Sequence, residues 1–255
     1  MLNLIVIFFL GTCLGSFLNV CVYRMPRGES IIFPGSHCPI CKKDIRWYQN
    51  IPVFSFVFLK GHCKNCGGKI SFLYPIVEIL SGLLALVLFL KFGLTYKFFV
   101  YAMLFYVLLI ASFIDFKTFE ISNGIILFLL ISGIILSLIF PGLHKKAFFT
   151  KSIFESVLGI LVGGGIMYVT ASIGNFLLKK ETMGGADIKL MAAIGAFLGW
   201  KNCIYIFFLS PIFGLIFAIF VLLKKKESII PYAPFISMAT VFVVFYADVL
   251  QRLFF

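Results

Sequence analysis

The sequence predicts an all-α polytopic membrane protein with about eight transmembrane helices and a small cytoplasmic loop domain between the first two, and three observations predict it. Of the 255 residues, 62% are hydrophobic and 13% charged, with a mean hydropathy of +1.10, whereas soluble domains run about 45–50% apolar and about 25% charged. Apolar runs near the ~20 residues needed to cross a bilayer recur along nearly the whole chain. The 22 Lys and Arg, against 10 acids for a net charge of +12, fall between those runs. A water-soluble enzyme and a disordered chain are excluded, and the basic excess orients helices in a lipid bilayer rather than binding nucleic acid.

The expected spans are Leu2–Val22, Pro75–Leu90, Phe98–Ile114, Ile121–Phe140, Ile153–Leu178, Ile188–Trp200, Cys203–Leu223 and Ala233–Leu250. The first has no Lys or Arg before Arg24 and no small-residue cleavage site, so it reads as a retained helix and not a signal peptide. The sixth is short: 13 residues at ~1.5 Å each cover about 20 Å of a ~30 Å hydrocarbon core. It is tilted, extended at one end, or re-entrant. Gly11/Gly15 and Gly159/Gly163 are small-xxx-small spacings that let helices approach closely.

Orientation follows from the connections. The stretch 23–74 carries Arg24, Arg27, Lys42, Lys43, Arg46, Lys60, Lys64 and Lys69, more than any other, and loops with that excess stay cytoplasmic. The N-terminus is then outside, and eight crossings put 15 basic residues inside against 7 outside. If the sixth segment does not cross, the split is 14 to 8. In both versions the connections after spans three and five share the face of the large loop. The chain divides into a first helix (1–23), a cytoplasmic loop domain (24–74) and a transmembrane domain (75–255).

A domain as small as 24–74 usually needs a metal or disulfides. Cys38-Pro-Ile-Cys41 and Cys63-Lys-Asn-Cys66, separated by 21 residues, let two turns present four thiolates to one tetrahedral Zn2+. Gly67-Gly68 after the second pair suits a knuckle whose amides approach the sulfurs. Two other readings compete. Disulfides are disfavoured by a reducing cytoplasm, and a membrane thiol oxidoreductase would place its working pair on the opposite, oxidising face. Cys13, Cys21 and Cys203 stand singly in apolar runs, as packing residues.

Acids are scarce, so their positions are informative. Glu29 and Asp44 belong to the loop; Glu155, Glu181 and Glu227 lie near lysines at helix ends; Asp248 is near the C-terminus. Glu78, Asp115, Glu120 and Asp187 remain. An ionisable group in a span costs about 2.5–3.5 kcal/mol on insertion scales and is a functional hypothesis by default. Asp115 ends span three, and Asp187 follows Met183-Gly184-Gly185-Ala186 and opens span six. Both emerge on one membrane face, as a paired-carboxylate site requires: one carboxyl keeps a proton while the other activates water against a peptide carbonyl. The glycines before Asp187 would allow φ > 0 and close approach of a substrate strand. The bland alternatives are an Asp187 N-cap for a helix starting at Ile188 and an Asp115 that is a helix-end charge near Lys117. Glu78 reads either as a first-turn carboxylate favoured by the helix dipole or as a substrate contact. A proton-coupled transporter using Asp115 and Asp187 as relay groups is the alternative function; it would place its acids near the bilayer midplane.

The chain resembles the bacterial type IV prepilin peptidases, also called leader peptidase/N-methyltransferases. The resemblance is collinear through Gly15-Ser16-Phe17-Leu18-Asn19-Val20 with Arg24 and Pro26, both Cys-x-x-Cys pairs, Asn50-Ile51-Pro52-Val53-Phe54-Ser55, Ile70-Ser71 and Tyr74-Pro75-Ile76-Val77-Glu78. Asp115 matches the family's first aspartate, and Gly184-Gly185-Ala186-Asp187 followed by Lys189-Leu190 is similar to its Gly-x-Gly-Asp motif. Two departures stand out. Ala186 replaces the motif's second glycine, and Ile121-Ser122-Asn123 stands where the family often has Pro-Asp. The resemblance implies a membrane aspartyl endopeptidase of the bacterial inner membrane with Asp115 and Asp187 as catalytic pair. Its substrates would be prepilins or pseudopilins, cut after a glycine at the cytoplasmic face. It also implies N-methylation of the new terminus with S-adenosylmethionine, although no Gly-x-Gly-x-x-Gly motif marks a site for that donor.

Overall fold

The computed structural model describes residues 2–180, 182–223 and 230–254, without the side chains of 220–223, 248, 251, 253 and 254. Glu181 and Glu227, expected as helix-end charges, lie outside the described residues, as does the side chain of Asp248. The helices are α1 (Leu2–Arg24), α2 (Phe54–Phe58), α3 (Leu73–Phe92), α4 (Tyr96–Thr118), α5 (Asn123–Ile139), α6 (Phe149–Leu178), α7 (Gly185–Leu223) and α8 (Ala233–Phe254). Among the described residues there is no strand, only the isolated bridges His37–Asp44 and His62–Lys69.

Helices are what such a sequence must form in lipid, because a helix satisfies its own backbone polar groups where no water can. Among the described residues, five are long and apolar enough to cross a membrane: Leu2–Arg27, Leu73–Phe92, Tyr96–Thr118, Phe149–Leu178 and Gly185–Ile219. Asn123–Ile139 and Ala233–Ala247 are apolar but shorter. Local signals set the breaks. Gly93, at φ 60°, follows α3; the Ser122 hydroxyl accepts the Gly124 N–H and caps α5; Pro141 opens the 3-10 turn that ends it.

Two compact units divide the chain, Met1–Tyr106 and Val107–Phe255. In the first, α1 packs along α3 where glycine removes the side chain between them. A Cβ on Gly15 would lie 2.7 Å from the Glu78 Cα, and one on Gly11 would lie 2.7 Å from the Ala85 Cβ. The Asn19 amide donates to the Tyr74 carbonyl at 3.0 Å and ties the same two helices at one end.

In the second unit α6 packs along α7, with Gly159 against Gly195 and the Ser156 hydroxyl donating to the Ala196 carbonyl at 2.9 Å. α7 is not one rod. Gly199 has φ 74° and ψ 170°, a conformation essentially confined to glycine. A Cβ on Gly163 would lie 2.8 Å from the Met191 carbonyl and 3.1 Å from the Cys203 sulfur; on an unbroken helix those residues would sit about 18 Å apart. The chain therefore reverses at Gly199. Residues 185–198 and 200–223 are two antiparallel arms, covering the stretches where the sixth and seventh spans were expected, and the helix begins at Gly185 instead of Ile188.

Candidate functional site

In the second unit, Asp115 occupies the last turn of α4 and is 6% exposed. Its Oδ2 accepts the main-chain N–H of Ala233 at 3.0 Å, and the Tyr232 N–H also bonds this carboxylate. Pro231 and Pro234 bracket that segment; a proline in the first turn has no N–H to orphan, so the free amides of 232 and 233 are what α8 offers. Asp187 is in the first turn of α7 and interacts electrostatically with both Asp115 and the Tyr232 phenol. The reversal at Gly199 returns Ser210 to the level of Asp187, where its hydroxyl bonds the Tyr232 side chain. The two aspartates expected to converge thus share one neighbourhood, and Tyr232 engages both, Asp115 through its main-chain N–H and Asp187 through its phenol.

Details around Asp187 differ from the expectation. The helix starts at Gly185, so Asp187 is not its N-cap; its own N–H donates to the Gly184 carbonyl at 3.1 Å. Gly184 and Gly185 do not adopt positive φ. Neither position requires glycine for space: a Cβ on Gly184 would make ordinary contact at 3.4 Å with the Asp187 Oδ2, and Gly185 faces open space. Ala186, in place of a glycine, sits in helical backbone that any residue adopts. Asn123 accepts a hydrogen bond from Lys189 Nζ at 3.0 Å, joining the start of α5 to the start of α7. The amide oxygen is enough for that bond without a carboxylate.

Glu78 is buried, beyond the first turn of α3, so the helix-dipole reading does not hold; its Oε2 accepts the Val53 N–H at 2.7 Å, and the Ser16 hydroxyl bonds it too. Glu155 pairs with Lys146 at 2.9 Å, as the expectation of a helix-end charge near lysine had it.

In the first unit the sulfurs of Cys38, Cys41, Cys63 and Cys66 all lie within 4.8 Å of one another. Cys38 and Cys66 are 3.9 Å apart and all seven cysteines are free thiols. A tetrahedral metal with ~2.3 Å bonds to sulfur needs sulfurs about 3.8 Å apart, and this cluster is close to that. Two like turns build it. Lys42 N–H donates to the Cys38 carbonyl and Cys38 N–H to the Lys43 carbonyl; Gly67 N–H donates to the Cys63 carbonyl and Cys63 N–H to the Gly68 carbonyl. Lys42 and Gly67, at φ 59° and 69°, occupy the same left-handed position. Main-chain N–H groups of Cys66 and Asn65 pull the Cys63 thiol down to about 7. Against the Gly68 amide, partial desolvation and the crowding thiols push Cys66 up to about 11.

The sequence reading missed Tyr232 and Ala233. The signal available was Pro231-Tyr232-Ala233-Pro234, a helix start between two prolines with its amides unassigned.

Residues 9–92 match the bacterial peptidase A24 N-terminal domain, and residues 102–219 match the type IV leader peptidase family. A prepilin leader peptidase/N-methyltransferase of Bacillus subtilis is 32% identical over 95% of this chain and 94% of its own length. A protein of the same name from Myxococcus xanthus is 34% identical over 87% of this chain; the chain spans 64% of that relative. An Escherichia coli type 4 prepilin-like proteins leader peptide-processing enzyme is 30% identical over 96% of this chain and 93% of its own. No solved structure matches. These relatives are processing enzymes, which leaves the transporter alternative without support.

Proposed function

The chain belongs to the type IV leader peptidase family, and from that premise we propose that it is a membrane-embedded aspartyl endopeptidase removing the leader of type IV prepilins or pseudopilins, with Asp115 and Asp187 as its catalytic pair. The observation that carries the reading is the convergence of these two carboxylates at helix ends within the unit that the peptidase model matches. Two carboxylates that repel hold one proton between them. One then deprotonates a water and the other protonates the scissile carbonyl oxygen, and the roles exchange when the amine leaves. Asp115 is fixed for that task by two amides at the start of α8, and Asp187 is half-buried beside open space at Gly185.

The membrane arrangement belongs to the same proposal. Eight crossings, counting the two arms of α7, put the N-terminus outside and the aspartates and the thiol cluster on the cytoplasmic face of the inner membrane. The functional division is the first helix (1–23), the loop domain (24–74) and the catalytic helices (75–255). Cys38, Cys41, Cys63 and Cys66 would hold structural Zn2+, closing a loop too small for its own core. N-methylation with S-adenosylmethionine is proposed from the family alone; the described residues form no glycine-rich strand-helix turn, and none is assigned to the donor.

The test is mass spectrometry of a purified prepilin incubated with the detergent-solubilised protein, with and without S-adenosylmethionine. Loss of the leader after glycine supports the peptidase, and a further methyl mass supports the second activity. No cleavage of several prepilins by folded, zinc-loaded protein would overturn the reading.

A further inference from the structure

α2 is turned inside out for a helix in water. Phe54, Val57 and Phe58 share one face, by their i, i+3, i+4 spacing, and are 57%, 66% and 82% exposed. The opposite side makes the internal contacts: Ser55 Oγ donates to the Tyr48 carbonyl at 3.3 Å, and Phe56 packs on Phe72 with ring centroids 5.0 Å apart. Trp47, in the 3-10 turn seven residues before α2, is 80% exposed. A second apolar tip, Ile32-Phe33, is as bare, at 71% and 77%.

Both tips are tethered near the ends of apolar helices, one at the last residue of α1 and one within the first two turns of α3. Val53, immediately before α2, gives its N–H to Glu78, which lies five residues inside α3 and so about 8 Å along its axis. Arg24, the last residue of α1, is buried and donates to the Ser30, Pro34 and Gly35 carbonyls at 2.9, 2.7 and 2.9 Å, clasping the loop that carries Ile32 and Phe33. Around them stand the exposed Lys42, Lys43, Arg46, Lys60, Lys64 and Lys69, against only Glu29 and Asp44.

We propose that the 24–72 loop is an interfacial module, with the Phe54/Val57/Phe58 face, Trp47 and the Ile32-Phe33 tip inserted into the boundary between headgroups and acyl chains of an anionic lipid surface. The depth fits, since amphipathic helices bury their apolar face about 5–10 Å into that boundary. So does the composition, because Trp marks the interface and Lys and Arg gain about 1 kcal/mol each near an anionic leaflet. Zn2+ in the cysteine cluster would keep the two tips in one rigid piece. The cluster is then a frame for membrane contact, not the core of a free domain.

The test reconstitutes zinc-loaded protein into nanodiscs of phosphatidylcholine alone or mixed with phosphatidylglycerol. Trp200→Phe leaves Trp47 as the only tryptophan, and Phe58→Trp in a Trp47→Phe/Trp200→Phe background reports on α2. Lipids brominated near the top of the acyl chain should quench both probes at least about twofold, more strongly with phosphatidylglycerol, while aqueous iodide quenches neither. Emission of an exposed indole, quenched by iodide and untouched by brominated lipid, would overturn the proposal. So would shielding that appears only when a prepilin peptide is added, which would assign the face to a protein. Wild-type protein covers the case of variants that lose zinc: a diazirine-bearing lipid should label Ile32–Phe33 and 54–58, and label confined to α1 and α3 would be equally fatal.

Discussion

The carboxylate of Asp115 accepts the main-chain N–H of Ala233 at 3.0 Å, across 118 positions of sequence. An acid at the end of α4 is thereby held by the amino end of α8, and the bond can be deleted without touching a side chain. Ala233→Pro removes the donor at a position where proline suits a starting helix. The loss of a hydrogen bond of this kind is worth about 1–3 kcal/mol, so prepilin cleavage should slow about 10- to 100-fold while zinc content and elution as a folded monodisperse species persist. Unchanged cleavage would make the bond incidental.

Asp115→Asn and Asp187→Asn should each lower leader removal by about 10²–10⁴-fold, the usual worth of acid-base participation, because an amide neither shares a proton nor deprotonates water. Both variants should remain folded, since the amide oxygen in Asp115→Asn still accepts the Ala233 N–H and Asp187 is only half-buried. The mass assay of leader loss decides it, and full activity in either variant would remove that residue from the dyad.

Cys38→Ser should lower the zinc content and the melting temperature, and chelation of the wild-type protein should do the same. Cys203→Ala, although buried beside Gly159 and Gly195, should leave zinc unchanged. Elemental analysis on the two variants separates a metal cluster from general packing, and equal zinc in Cys38→Ser and wild type would defeat the assignment.

Much of this was legible because the informative residues are local. Hydropathy gave the apolar segments; Cys-x-x-Cys spacing gave the four thiols; the rarity of acids pointed to Asp115 and Asp187. Pairing across the chain was not legible, and that is where the reading stopped or erred. The role of Glu78 depends on a main-chain N–H at Val53, which no side-chain pattern announces. A Gly184-Gly185 pair looks in sequence like a need for positive φ, and neither residue adopts it. Gly199 lies between two apolar runs as one glycine among 22, and only its backbone angles reveal a reversal.

That reversal is directly testable. Alanine at 199 would have to hold φ 74° and ψ 170° and would place a Cβ 3.2 Å from His144 Nδ1. A non-glycine residue so placed costs about 1–3 kcal/mol, so Gly199→Ala should melt several degrees lower. Gly165→Ala is the control, because nothing lies within 4 Å of its Cβ position. Equal melting of the two variants would show that the turn tolerates a side chain.

The same turn carries a pH dependence. Burial holds the His144 imidazole down to about 4 from an ordinary 6.5, opposed by Glu155 and an Ala196 main-chain bond and assisted by Lys146. The Glu155 carboxylate is itself paired with Lys146, and His144 Nε2 is buried without a partner. As the pH falls through 6.5 the unfolded chain takes up a proton that the folded chain refuses until about 4, so stability falls with pH across that window, by about 3 kcal/mol at most. Above 6.5 both states are neutral at this residue and it contributes no slope. His144→Gln cannot take the proton in either state. Its melting temperature should therefore decline less steeply than that of wild type between pH 6.5 and 4.5, other carboxylates being common to both. Parallel melting curves over that range would mean that His144 is hydrated and titrates normally in the folded protein.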